Sequence, residues 1–267
     1  MKPSMLFLPG LLLLLAGCAA SPAGSGSPEA FGGNEENQSA RLHTELASQY
    51  FARGQYAISL QELRIALSSD SAYAPAYNIL GLVHAELRED SQADSHFKRS
   101  LDLSPNYSEA HNNYGVFLCQ RGRMTESLHH FEEALRNPLY ATPEKALANA
   151  GNCVMEKQGD LARAENYFAR ALKRVPQQAT ALLGMAEVHF RQDRWLAARS
   201  VLRQYSARVG DAVLGPQALW LGVRVERKLG DREAEANYGA QLRRGHPESM
   251  QAQWLLTSQY DQTGSLL

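Results

Sequence analysis

From about residue 40 onward, apolar and polar positions alternate with the period of amphipathic helices rather than strands. The pattern also repeats on a longer scale. Tyr77-Asn78-Ile79-Leu80-Gly81 is followed by His111-Asn112-Asn113-Tyr114-Gly115, with the two glycines 34 residues apart. Phe97 and Phe131, Ser100 and Ala134, and Leu101 and Leu135 keep the same interval, and Pro105 closes the first of these units. A period of this length predicts a helix–turn–helix unit that stacks on copies of itself, because one such pair cannot bury its apolar face alone.

The spacing resembles the tetratricopeptide repeat. In that repeat, small residues sit where two antiparallel helices cross, and large apolar residues fill the space between neighbouring pairs. Six units are predicted over 40–248. They cover 40–73, 74–107, a third from 108, 144–178, 179–214 and 215–248. The units are not uniform. Ser71 stands where Pro is usual, Pro138 comes one residue early, and Gly151 and Gly159 are eight apart rather than seven. The fifth unit lacks a closing Pro. Residues 249–267 are expected to form a capping helix, over 249–263 with Trp254, Leu255 and Tyr260, and a short tail. The predicted fold is all-α, a right-handed solenoid of about six helix pairs with a C-terminal cap. Composition agrees, since 3 Ile, 10 Val and 6 Thr are too few for a sheet-based fold of 267 residues.

The N-terminus follows another logic. Lys2 precedes an apolar run from Met5 to Leu15, about right for a signal h-region and too short to span a bilayer of roughly 30 Å. Leu15-Ala16-Gly17-Cys18 resembles the bacterial lipobox. The resemblance implies cleavage after residue 17, so that 1–17 is a lipoprotein signal peptide and Cys18 carries the acyl chains. Ala19 rather than Asp next to that Cys implies, by the sorting rule of such lipoproteins, the periplasmic face of the outer membrane of a Gram-negative cell. Residues 18–39, rich in Gly, Ser, Ala, Pro, Asn and Glu, read as the lipidated Cys and a flexible tether.

Charge and candidate chemistry narrow the function. Lys plus Arg total 27 against 28 Asp plus Glu. That balance argues against a nucleic-acid partner held by phosphate contacts. Cys119 and Cys153 lie on the first helices of neighbouring units. Their phases within the unit differ, which favours two small buried or groove-lining thiols over a disulfide. His129-His130 with Glu132-Glu133 reads as a solvated helix face, since adjacent helical residues diverge and cannot easily share a metal ion. No metal, cofactor or catalytic motif is evident, and a solenoid offers extended surfaces rather than closed pockets, so no enzyme and no small-molecule substrate are expected. The expected working surface is the groove along the first helices, with Phe51, Asn78, Leu82, Asn112, Val116, Gln120 and Asn152 as its partner-binding residues. Each Asn there either bridges within the stack or meets a peptide backbone.

A narrower resemblance rests on three stretches. These are Asn112-Asn113-Tyr114-Gly115-Val116-Phe117-Leu118, Asn137-Pro138-Leu139-Tyr140 with its early Pro, and Ala236-Asn237-Tyr238-Gly239-Ala240-Gln241-Leu242-Arg243-Arg244. With the lipobox, they resemble the type IV pilus biogenesis and stability lipoprotein family, PilF/PilW. The resemblance implies a pilotin that binds the type IV pilus secretin and promotes its outer-membrane localisation and multimerisation. The alternative is a repeat scaffold for other envelope machinery, in peptidoglycan synthesis or outer-membrane protein assembly.

Overall fold

The structure, a computed structural model, describes residues 35–157, 159–210 and 214–263. The predicted signal peptide, the lipid attachment at Cys18 and most of the predicted tether lie outside the described residues. Among those described there are thirteen α-helices and no strand. None is long and apolar enough to cross a membrane.

Twelve of the helices form six antiparallel pairs. These are α1 (Glu35–Ala52) with α2 (Tyr56–Ser69), α3 (Ala74–Glu86) with α4 (Asp90–Leu103), and α5 (Ser108–Gln120) with α6 (Met124–Arg136). They continue as α7 (Pro143–Lys157) with α8 (Leu161–Arg174), α9 (Ala179–Arg191) with α10 (Trp195–Val209), and α11 (Pro216–Leu229) with α12 (Arg232–Gly245). Each first helix packs on its own partner and on the first helix of the next pair, and α13 (Met250–Leu256) takes that place after α11. The chain is a tetratricopeptide-type solenoid.

The crossing within a pair explains the small residues. Gly81, Gly115, Gly151 and Gly222 each lie under an aromatic ring of the following helix. A Cβ there would fall 2.7–2.8 Å from Phe97, Phe131, Phe168 and Tyr238 respectively. Only a bare backbone lets the ring seat flat on the helix. Ser59 and Ser127, buried at the same crossing, donate from Oγ to the carbonyls of Ala47 and Gly115 at 2.8 and 2.7 Å, so each small polar group is satisfied. The turn within each pair needs one residue at positive φ. Gly54, Gly122, Gly159 and Gly230 supply it, while Arg88 and Asp193 adopt it in the second and fifth pairs.

Four expectations need correction. Helix α1 begins at Glu35, inside the stretch assigned to the tether, because 35–39 has no Gly or Pro to stop it. The capping helix ends at Leu256 rather than 263, since Ser258 turns at φ 56 and Gln259 N–H donates back to the Trp254 carbonyl at 2.8 Å. The third is the cysteines. Cys119 and Cys153 form a disulfide with Cα atoms 5.9 Å apart, joining α5 to α7. Counted from Gly115 and Gly151 the two differ by two residues, or about 200° of helix. On parallel neighbouring helices, opposite phases bring two side chains face to face, whereas equal phases would point them the same way. The differing phase therefore favours the bond. Fourth, His130 is not on a solvated face. It is half-buried, with Nδ1 2.9 Å from Nδ1 of His111, and burial together with His111 and His129 pushes it down to about 4. His129 is exposed, as expected.

Candidate interaction groove

The first helices of the first four pairs, with the loops leading into them, line one open groove of about 500 Å³. Its walls include Thr44 and Ser48 on α1, Asn78, Ile79 and Leu82 on α3, Asn112 and Asn113 on α5, and Lys145 on α7. Repetition places them. One helical unit after another presents the same turn of its first helix to the same side.

A run of side-chain amides crosses the groove from pair to pair. Asn149 Nδ2 donates to Asn112 Oδ1 at 3.0 Å, Asn112 Nδ2 to Asn113 Oδ1 at 3.2 Å, and Asn113 Nδ2 to Asn78 Oδ1 at 3.2 Å. Asn78 and Asn112 thus bridge the stack, one of the two roles open to them in the sequence, and Asn78 is 2% and Asn112 8% exposed. Asn113, half-buried in the same groove, can still present its remaining donor or acceptor capacity to a bound chain.

Three tyrosines edge the same groove. Tyr73 and Tyr107 stand just before α3 and α5, and Tyr140 lies in the longer connection before α7. Burial raises all three phenols above their ordinary value, with further help from Glu45 at Tyr73 and from Glu109 at Tyr107. They stay protonated as hydrogen-bond donors with apolar faces, a surface suited to an extended polypeptide. Arg41 and Lys145 against Glu45 and Glu109 leave the charge mixed.

The predicted groove residues divide. Asn78, Leu82 and Asn112 come together in this groove. Phe51 does not line it; its ring packs on Tyr56 within the first pair, centroids 5.8 Å apart. Val116 packs on the cluster containing the disulfide. Gln120 is exposed in a separate polar depression with Glu86 and Glu156. Asn152 is fully buried, so it offers no surface to a partner. Asn152 follows the crossing Gly151 as Val116 follows Gly115, and neither lines the groove. Asn113 and the three tyrosines line the groove without having been expected there. Tyr73 and Tyr107 had a visible signal, being 34 residues apart.

The Asn-Asn-Tyr-Gly stretch can now be read residue by residue. The two Asn belong to the amide run, and Gly115 seats Phe131. Tyr114 donates its hydroxyl to Asp94 Oδ1 at 2.7 Å. Burial acts to raise the Asp94 carboxyl, but hydrogen bonds from Lys98, Tyr114 and Arg123 outweigh it and hold the group at about 2. This ties α4 to the following pair. Among the described residues no group of three or more His, Cys, Asp or Glu is placed to hold a metal ion.

Comparison with known proteins agrees with the geometry. Tetratricopeptide-repeat profiles match residues 44–108 and 156–214. The type IV pilus assembly protein PilF of Pseudomonas aeruginosa is 28% identical over 253 residues, 94% of this chain and 96% of that protein. The solved structure of Pseudomonas aeruginosa PilF superposes with a TM-score of 0.72 at 26% identity, over 84% of this chain and all of that one. The crystal structure of PilW, described as a widely conserved type IV pilus biogenesis factor, also gives 0.72. There the identity is 32%, over 82% of this chain and 99% of that chain. A repeat architecture shared along almost the whole length of these proteins, at 32% identity to PilW, places the chain in the PilF/PilW family of tetratricopeptide-repeat proteins of type IV pilus biogenesis.

Proposed function

We propose that this protein is a lipid-anchored pilotin. It binds secretin subunits, carries them to the periplasmic face of the outer membrane and promotes their multimerisation. The observation that carries the reading is the groove of the first four pairs, where an amide floor, tyrosine edges and the apolar Ile79 and Leu82 can hold an extended segment. The lipobox at Cys18 supplies the anchor, and anchoring confines both bound subunit and scaffold to one surface, raising their effective concentration. The disulfide supports an oxidising compartment such as the periplasm. No reaction is assigned to the groove, and neither a cofactor, a nucleic acid nor a small-molecule substrate enters the proposal.

Leu82→Asp is the direct test, since Leu82 is half-buried and lines the groove whereas Val116 does not line it. A carboxylate placed against a docked apolar side chain should weaken secretin binding by about tenfold or more. The fraction of detergent-resistant secretin multimers should fall with it, with helical circular dichroism unchanged. Multimers at the parental level would remove the groove from the mechanism. For the anchor, Cys18→Ser should move the folded protein out of the outer-membrane fraction. A variant that stays with that membrane is held there by something other than lipid.

A further inference from the structure

A second surface, at the far end of the solenoid, is occupied by the chain itself. Past the turn at Ser258 the C-terminal segment folds back onto α11. Trp220, Arg224 and Arg227, spaced four and three apart, share one face of that helix. Each engages the returning segment. Trp220 donates its indole N–H to the Gln262 carbonyl at 2.9 Å. The Tyr260 ring stacks on Trp220, with centroids 5.8 Å apart and planes 13° from parallel, and the Arg227 guanidinium lies 3.9 Å from the Tyr260 centroid. The Asp261 carboxylate acts electrostatically on Arg224.

The seat is built far more firmly than its occupant. With the segment in place, Trp220 is 1% and Arg224 6% exposed. Arg224 is held by Glu187 at 3.2 Å and by the Phe190 ring at 4.2 Å from its centroid, and its buried Nε makes no hydrogen bond. On the other side, Gln259, Asp261 and Gln262 are exposed and Tyr260 is only half-buried. A segment that buries so little opens readily. When it leaves, the Trp220 N–H loses its acceptor while the aromatic and cationic groups stay in place, and such a donor favours recapture of another backbone carbonyl.

We propose that this face of α11 is a peptide-recognition seat, distinct from the groove of the first four pairs, for an extended partner segment carrying an aromatic residue followed directly by an acidic one. In the free protein, residues 259–262 fill it as an internal stand-in and a partner segment displaces them. Trp220 and Arg227 read the ring, Arg224 attracts the carboxylate, and the indole N–H fixes the backbone two residues past the aromatic. The internal segment competes at the high effective concentration of a tethered ligand, so only a partner that is itself concentrated nearby takes the seat.

The probe is a labelled peptide of residues 257–263, Thr-Ser-Gln-Tyr-Asp-Gln-Thr, titrated against the purified chain by fluorescence anisotropy, with the Trp220 indole resonance followed by NMR. Tyr260→Ala should empty the seat and bind the peptide at least tenfold more tightly than the parent protein. The same peptide with its Tyr replaced by Ala should not bind. Asp261→Lys, a change at an exposed position that leaves packing intact, weakens the internal segment by placing a cation near Arg224 and should give intermediate affinity even if Tyr260→Ala fails to fold. Equal binding by parent and variants, or no saturable binding by any, would reduce the segment to a structural cap and overturn the proposal. So would dimers formed by exchange of tails. The experiment uses no secretin, so its outcome is independent of the pilotin reading.

Discussion

Phe168→Ala should destabilise the fold by about 3–5 kcal/mol, among the largest single-residue effects in this protein. Phe168 is fully buried on α8 and is held between two glycines. A Cβ would fall 2.7 Å from its ring at Gly151 of α7 and 2.3 Å at Gly184 of α9. The ring therefore rests on bare backbone in its own pair and in the next. Truncating it removes the apolar contact and leaves a cavity walled by helix backbone, which cannot collapse as side chains can. Phe97 and Phe131 each face one such glycine, Gly81 and Gly115, so Phe168 should stand at the top of the series. Urea denaturation of the three Phe→Ala variants checks this. A midpoint for Phe168→Ala close to the parent's would mean that the double glycine seat contributes little.

Removing the Cys119–Cys153 bond should cost about 3–4 kcal/mol. The bond closes a loop of 34 residues, and the lost restraint on the unfolded chain accounts for that range. Both half-cystines are fully buried among Leu147, Val154 and Phe131, so Cys119→Ala/Cys153→Ala keeps small apolar groups in place and isolates the restraint. In a linear stack, stability is a sum over units and the interfaces between neighbours. The loss falls on the junction of the third and fourth pairs, which also carries the longer connection 137–142. The variant should therefore unfold at lower urea and less cooperatively, with the two ends of the solenoid separating as blocks. Reduced parent protein should behave as the double variant does. A double variant as stable as the oxidised parent would show that the bond restrains nothing the packing does not already hold.

The legible part of the fold was what recurs. Gly81 and Gly115, and Phe97 and Phe131, are one period apart, and a close crossing leaves few alternatives to Gly beneath an aromatic ring. Asn78, Leu82 and Asn112 were legible for the same reason, since equal positions in equal units point to the same side. Equal position does not guarantee equal exposure. Asn152 is expected in the groove and is fully buried; it follows Gly151 as Val116 follows Gly115, and neither lines the groove.

The sequence by itself determined the helical units, their small-residue crossings and the all-α solenoid, because these depend on contacts within a unit and between equivalent positions, which a period encodes. The tertiary structure alone decided three things: that Cys119 meets Cys153, that the amides of Asn149, Asn112, Asn113 and Asn78 join across pairs, and that Tyr260 returns to Trp220. Each joins residues on different units whose helices must first be set at a definite angle and offset. The junction crossed by Cys119–Cys153 and Asn149–Asn112 carries the longer connection 137–142, and Tyr260 returns through the turn at Ser258; a 34-residue period specifies neither.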